Sequence, residues 1–188
     1  MDLSTDDKRT LLKIARDSID AALRNKPAPP VVAKSKTLNE SCGAFVTLHL
    51  LGELRGCIGY IEPRFPLIET VQEVAQKAAL EDPRFPPLTS KELERVEIEI
   101  SVLSPLEKVV DANEIVVGTH GLVVDAGYTR GLLLPQVATE WGWGRDQFLS
   151  QTCRKAGLPA DAWKQKKVTI YSFTSAVFSE AEVFGVKH

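Results

Sequence analysis

Residues 43–60 read GAFVTLHLLGELRGCIGY. Two apolar runs, Gly43 to Leu50 and Leu54 to Tyr60, flank Leu51-Gly52-Glu53, which is the pattern of a β-hairpin. A three-residue loop sets Leu50 opposite Leu54, Leu48 opposite Gly56 and Val46 opposite Ile58. All the strongly apolar residues except Phe45 then share one face. The other face carries His49 opposite Arg55 and Thr47 opposite Cys57. A two-residue loop mixes the faces, and the side-chain period of two disfavours it.

Working outward, Leu11, Ile14, Ala15, Ser18 and Ala22 recur at helical spacing and predict a helix from about Thr5 to Asn25. Pro27, Pro29 and Pro30 stop it. A second helix is expected over Pro66 to Leu80, with Leu67, Val71, Val74, Ala75 and Ala78 on one stripe. Thr89 and Glu92 are spaced as a capping box for a short helix. Val96, Ile98, Ile100 and Val102 alternate with Glu97, Glu99 and Ser101, a strand with one buried and one wet face. Leu122–Asp125 and Gly131–Leu134 read as a second hairpin. Residues 145–156 read as a helix with Phe148, Leu149, Thr152 and Ala156 inward, and Val168 to Phe178 as one long closing strand. PRFP occurs at 63–66 and again at 83–86, which reads as recurring turn chemistry. Antiparallel-style strands mixed with helices define an α+β fold.

Composition narrows the function classes. The 188 residues are 44% hydrophobic and 26% charged, with a net charge of −2, ordinary for a globular protein and an argument against a nucleic-acid partner. Cys42, Cys57 and Cys153 are an odd number without close spacing, which argues against a disulfide framework and for a reducing compartment. The opening stretch MDLSTDDKRT is polar and acidic, and no apolar run approaches a membrane span of ~18 residues. A cytoplasmic location is the expectation. No close Cys or His pair marks a zinc site, and no GxGxxG or Walker loop marks a nucleotide site. Neither metal nor cofactor is expected.

Within LRGCIGY a strand gives up side chains at Gly56 and Gly59, on either side of its one thiol. Each glycine costs about 0.5–1 kcal/mol relative to alanine, so either another backbone packs closely there or a ligand lies over the strand. Cys57 is accordingly either a small packed residue or a nucleophilic or redox-sensitive thiol. Arg55, two residues away at ~6.6 Å on an ideal strand, attracts a thiolate by about 0.6 kcal/mol in water and about 2.5 kcal/mol at an effective dielectric of ~20. Burial opposes that pull. Arg55 is equally a salt-bridge residue or a bidentate anion anchor.

His49 and His120 are the candidate bases. His120 stands in a turn before a strand, where a turn-stabilising hydrogen bond is the alternative role. Asp82-Pro83-Arg84 reads first as a turn with an ion pair and second as cleft lining. Trp141 and Trp143 are hydrophobic anchors or a stacking surface. Gln136 and Glu140 share a face if a helix begins at Pro135.

Four ordered segments, LRGCIG (54–59), DPRFPPL (82–88), GTHGL (118–122) and LLPQVATEWGW (133–143), resemble the AMMECR family, which includes a component of the AmmeMemoRadiSam system. The resemblance implies one AMMECR-type domain over 1–188, made of a larger and a smaller lobe, with the cysteine motif near the cleft between them. It implies association with Memo-like and radical S-adenosylmethionine proteins but no established reaction. The residues it points to are Arg55, Gly56, Cys57, Gly59, Asp82, Arg84, His120, Gln136 and Glu140. Two functions follow as expectations, and whether the chain is an enzyme stays open between them. In the first, a thiol-dependent enzyme acts on a small anionic substrate, with Cys57 and His120 catalytic and Arg55, Gly56, Gly59, Asp82, Arg84, Gln136 and Glu140 contacting substrate. In the second, a non-catalytic adaptor docks on the Memo-like or radical enzyme.

Overall fold

Ser4 and Asp7 form a capping box that starts the first helix, α1 (Thr5–Leu23). The computed structural model describes residues 3–33, 35–165 and 168–185. The chain divides into two units, one of Met1–Leu103 with Ala176–His188 and one of Ser104–Ser175. The first unit continues with α2 (Lys36–Asn39), β1 (Ala44–Leu50), β2 (Glu53–Tyr60), α3 (Leu67–Leu80), α4 (Ser90–Leu93) and β3 (Val96–Leu103). The second contains β4 (Glu107–Lys108), β5 (Gly121–Asp125), β6 (Arg130–Leu133), α5 (Pro135–Glu140), α6 (Arg145–Lys155) and β7 (Thr169–Phe173). The chain then returns through β8 (Ser175–Ser179) and α7 (Glu180–Phe184). Two four-stranded antiparallel sheets result, ordered β2-β1-β3-β8 and β4-β7-β5-β6. The fold is α+β.

The apolar alternation of β1 and β3 places Val46, Leu48, Ile98 and Ile100 on one face of the first sheet, all fully buried. Leu11, Leu12, Ala15 and Ile19 of α1 and Val71, Val74 and Ala75 of α3 belong to the same apolar cluster. A bidentate pair closes this unit across 164 residues of sequence. Arg16 donates to both Glu180 oxygens at 2.6 and 2.5 Å, and also to the Leu93 and Val96 carbonyls. Glu180 accepts the Ile98 N–H at 2.9 Å. In the second unit, Phe148 and Leu149 of α6 pack with Leu122 and Ala138.

The first hairpin departs from the expected one at its tip. Leu50 pairs with Glu53 and His49 with Leu54, so the Leu50–Leu54 and His49–Arg55 pairs do not form. The loop is the two residues Leu51 and Gly52, at φ 57° and 84°, as a type I′ turn requires. A bulge between Leu48 and His49 then makes Arg55 the extra residue on β2. It restores Leu48 to Gly56, Thr47 to Cys57 and Val46 to Ile58, so the apolar face survives a short turn. The closing strand also differs. It breaks at Thr174 into β7, in the second sheet, and β8, in the first. Alternation reports extended backbone, not which neighbour a strand pairs with. Ser104 and Thr174, where the chain enters and leaves the second unit, bond reciprocally, the Ser104 N–H to the Thr174 carbonyl at 2.8 Å and the Thr174 N–H to Ser104 Oγ at 2.9 Å. Ser101, on the face expected to be wet, is buried.

Leu51 is an exposed, branched residue at positive φ, a conformation that costs an L-residue about 1 kcal/mol and that asparagine adopts more readily. Leu51→Asn is expected to stabilise the protein by about 0.5–1 kcal/mol, read as a higher urea midpoint at unchanged slope.

Candidate functional site

Cys57 lies on β2, one of the two outermost strands of the first sheet. An outermost strand leaves alternate N–H and C=O groups without a ladder partner. At Cys57 both are taken up by one turn. The N–H donates to Asp82 Oδ2 at 2.8 Å, and the carbonyl accepts from Arg84 Nη2 at 3.4 Å. Asp82 also accepts the Arg84 N–H at 3.1 Å and two bonds from its guanidinium at 3.0 and 2.7 Å. The Asp82 carboxylate is buried, whereas the Arg84 side chain is 52% exposed. DPRFPPL is thus the turn and ion pair expected of it, built against the cysteine strand.

The half-buried thiol projects beside Thr47 of β1, whose hydroxyl donates to Sγ at 3.2 Å. Glu99 of β3 stands opposite Thr47, giving a row of thiol, hydroxyl and carboxylate residues across three strands. The glycines on either side are accounted for by the protein itself. A Cβ at Gly56 would lie 2.2 Å from the Ala78 carbonyl oxygen of α3, and one at Gly59 would lie 2.3 Å from the Phe45 ring and 2.4 Å from the Ala44 carbonyl oxygen. The Gly56 backbone therefore meets a helix, and Gly59 makes room for a cross-strand aromatic ring.

Arg55 is bonded to groups other than the thiol. As the bulge residue it donates to both oxygens of Glu92, at 2.9 and 3.3 Å, and to the Pro86 carbonyl at 3.0 Å. Glu92 is also the capping-box residue of α4. Arg55 and Arg84 lie over the same Phe85 ring, at 5.9 and 5.5 Å from its centroid. The cation that acts on Cys57 is Arg84. Burial pushes the Cys57 thiol up, and the Thr47 hydroxyl and Arg84 only partly offset that, with Asp82 and Glu99 adding to the rise. The bonds from Arg84 and the Cys57 N–H hold Asp82 at about 2 against the cost of burial. Arg55, with help from Thr89, holds Glu92 at about 2. Near neutral pH the site therefore presents a protonated thiol and fixed, ionised carboxylates.

His120, Gln136 and Glu140 belong to the second unit. His120 Nδ1 accepts the Val116 N–H at 3.2 Å, the turn-stabilising bond weighed above. With Nδ1 an acceptor, the neutral ring carries its proton on Nε2, so service as a base requires giving up the Val116 bond or shifting that proton. Gln136 and Glu140 do lie on a helix, α5. Gln136 Oε1 is buried without a hydrogen-bond partner among the described residues, and Glu140 is exposed. The structure adds Thr47 beside Cys57, Glu92 beside Arg55, and Phe85 beside Arg55 and Arg84. The hairpin register already set Thr47 opposite the thiol and the capping box already singled out Glu92, but neither signal pointed to the Arg55–Glu92 pair. Among the described residues no three His, Cys, Asp or Glu side chains gather to hold a metal ion, and no helix is long and apolar enough to cross a membrane.

Two α+β units, a glycine-flanked thiol on an outermost strand and a buried Asp–Arg turn against it define a recognisable class of chain. This protein belongs to the AMMECR1 family, whose model matches residues 12–178. It is 46% identical over 187 residues to a protein of Methanothermobacter thermautotrophicus, covering 95% of this chain and 96% of that one. It is 43% identical over 181 residues to one of Thermococcus gammatolerans, covering 90% and 88%. The crystal structure of an uncharacterized protein from Pyrococcus horikoshii superposes with a TM-score of 0.87 at 40% identity, covering 94% of this chain and 92% of that one.

Asp82→Ala leaves the Cys57 N–H without its acceptor and is expected to cost about 2–3 kcal/mol. Arg84→Ala removes a half-exposed partner and is expected to cost under about 1 kcal/mol. Urea denaturation separates the two. Asp82 has a folded pKa depressed to about 2, below the ordinary aspartate value of ~3.9. Its contribution is full above the unfolded value and is lost as pH falls through the folded one. Asp82→Asn should therefore flatten the acid side of the stability profile between about pH 4 and pH 2. Gly56→Ala forces a methyl into the Ala78 carbonyl and is expected to destabilise by about 2 kcal/mol or more, read as a lower melting temperature.

Proposed function

We propose that this protein is a binding component rather than a thiol enzyme acting alone, and that it docks on a Memo-like or radical S-adenosylmethionine protein, the partners its family resemblance implies. The Cys57 strand and the Asp82–Arg84 turn form the contact. The observation that carries this reading is the thiol's surroundings: burial raises its pKa, and Arg84, the cation acting on it among the described residues, is bonded to Asp82. A nucleophilic cysteine needs the opposite, a lowered pKa or an adjacent base. Arg84 and Phe85 suit recognition, because a half-exposed guanidinium beside an aromatic ring is the side-chain chemistry enriched at interface hot spots. Three free cysteines fit a cytoplasmic setting.

A second reading, a thiol-dependent enzyme acting on a small anion, is favoured by one observation: the thiol is half-buried rather than sealed, beside a hydroxyl. That reading assigns the base to His120 and the polar lining to Gln136 and Glu140.

Alkylation of Cys57 across pH, in a background with Cys42 and Cys153 replaced by serine, separates the two. The binding reading expects an apparent pKa above that of an ordinary free cysteine and slow labelling at neutral pH. A thiolate already present at pH 7 overturns it in favour of the enzyme. With a purified Memo-like protein and a purified radical S-adenosylmethionine protein as probes, Arg84→Ala is expected to weaken association about tenfold and Cys57→Ser to leave it unchanged. No association of the unsubstituted chain with either probe counts against the binding reading.

A further inference from the structure

The second unit contains a cavity of about 590 Å³, within the usual range for small-molecule sites of roughly 300–1,000 Å³. It lies beside β4, an outermost strand of its sheet. None of the residues that the sequence marked as functional lines it. Val109, Val110, Ala112, Trp163, Val168 and Ile170 supply its apolar lining. Val110 is 89% exposed, an apolar side chain turned to water where the strand ends. Trp163 is held in place, its indole N–H donating to Ser150 Oγ at 3.2 Å and its ring packed with both apolar clusters of this unit.

The polar part of the lining has one sign. Lys108 and Lys164 are its charged residues, Thr169 is polar and uncharged, and no Asp or Glu is among the described lining residues. Lys164 Nζ stands 5.1 Å from the centroid of the Trp163 ring, so cation and aromatic surface are presented together. An inorganic anion would use the lysines and waste the apolar walls, whereas a neutral hydrocarbon would do the reverse. Only a ligand with both characters uses the whole lining.

We propose that this cavity is a binding site for a small organic anion with a flat apolar body, of the aromatic carboxylate class. The body lies against Trp163, Val109 and Ile170, and the carboxylate faces Lys108 and Lys164. The site is independent of the Cys57 strand, so it stands or falls separately from the function proposed above.

The test uses the full chain with 1-naphthoate as probe, and naphthalene and 1-naphthylmethylammonium as neutral and cationic controls. Binding is read from the indole N–H signals of the three tryptophans in proton–nitrogen correlation spectra, with Trp163 assigned through Trp163→Phe. The expected result is a saturable shift of the Trp163 signal with naphthoate, and weaker binding of both controls. Replacing Lys108 and Lys164 together by glutamine, at exposed positions where folding is not at stake, is expected to weaken naphthoate binding about fivefold. Ala112→Trp is expected to fill the cavity and abolish the Trp163 shift. Should that variant not fold, the lysine pair decides the matter alone. Equal binding of the ammonium control, shifts confined to Trp141 and Trp143, or no saturable shift below about 10 mM would each overturn the proposal.

Discussion

Asp82 is buried with its carboxylate against the Cys57 N–H, on the open side of a four-stranded sheet. That contact is the constraint on which the rest of the site depends. An unpaired strand edge invites another chain to pair with it, and here a single turn occupies both backbone groups of the cysteine, Asp82 on the N–H and Arg84 on the carbonyl. The same carboxylate draws Arg84 to itself, which limits how far the guanidinium can favour a thiolate. Closing the edge and quieting the thiol are two consequences of one buried charge.

Packing around the strand follows from what lies on its other sides. Gly56 has no side chain because the Ala78 carbonyl of α3 occupies the place, and Gly59 has none because the Phe45 ring does. The bulge at Arg55 does a different job. It turns a long side chain out of the ladder, toward Glu92 and the carbonyls of Pro86 and Pro87, so the start of β2 is tied to the segment that caps α4. Thus the helix α3 on one side and residues 82–92 on the other hold a strand with few side chains of its own to anchor it.

The larger unit is discontinuous in sequence, and its closure rests on Arg16 and Glu180. Glu180 caps the Ile98 N–H while receiving the guanidinium, and Arg16 also bonds the carbonyls of Leu93 and Val96. Both charges of the pair are met by further hydrogen bonds, the condition under which a buried ion pair holds structure together rather than straining it. Nothing local to either residue announces the pair, since they stand at opposite ends of the chain.

Periodicity alone determined the helices at 5–23, 67–80 and 145–155 to within a residue or two, the strand at 96–103, the α+β class, and the pairing of Thr47 with Cys57, because burying one face imposes a repeat that survives in the residues themselves. Asp82 and Arg84 were legible as an ion-paired turn for the same local reason. Tertiary structure decided the rest. It set a two-residue turn with a bulge where pattern argued for three residues, and split the run ending at Phe178 between two sheets. It filled the space beside both glycines with protein, and gave Arg84 rather than Arg55 to the thiol. Each of those outcomes depends on atoms distant in sequence competing for one place. Side-chain spacing records which face is apolar but not what arrives to cover it.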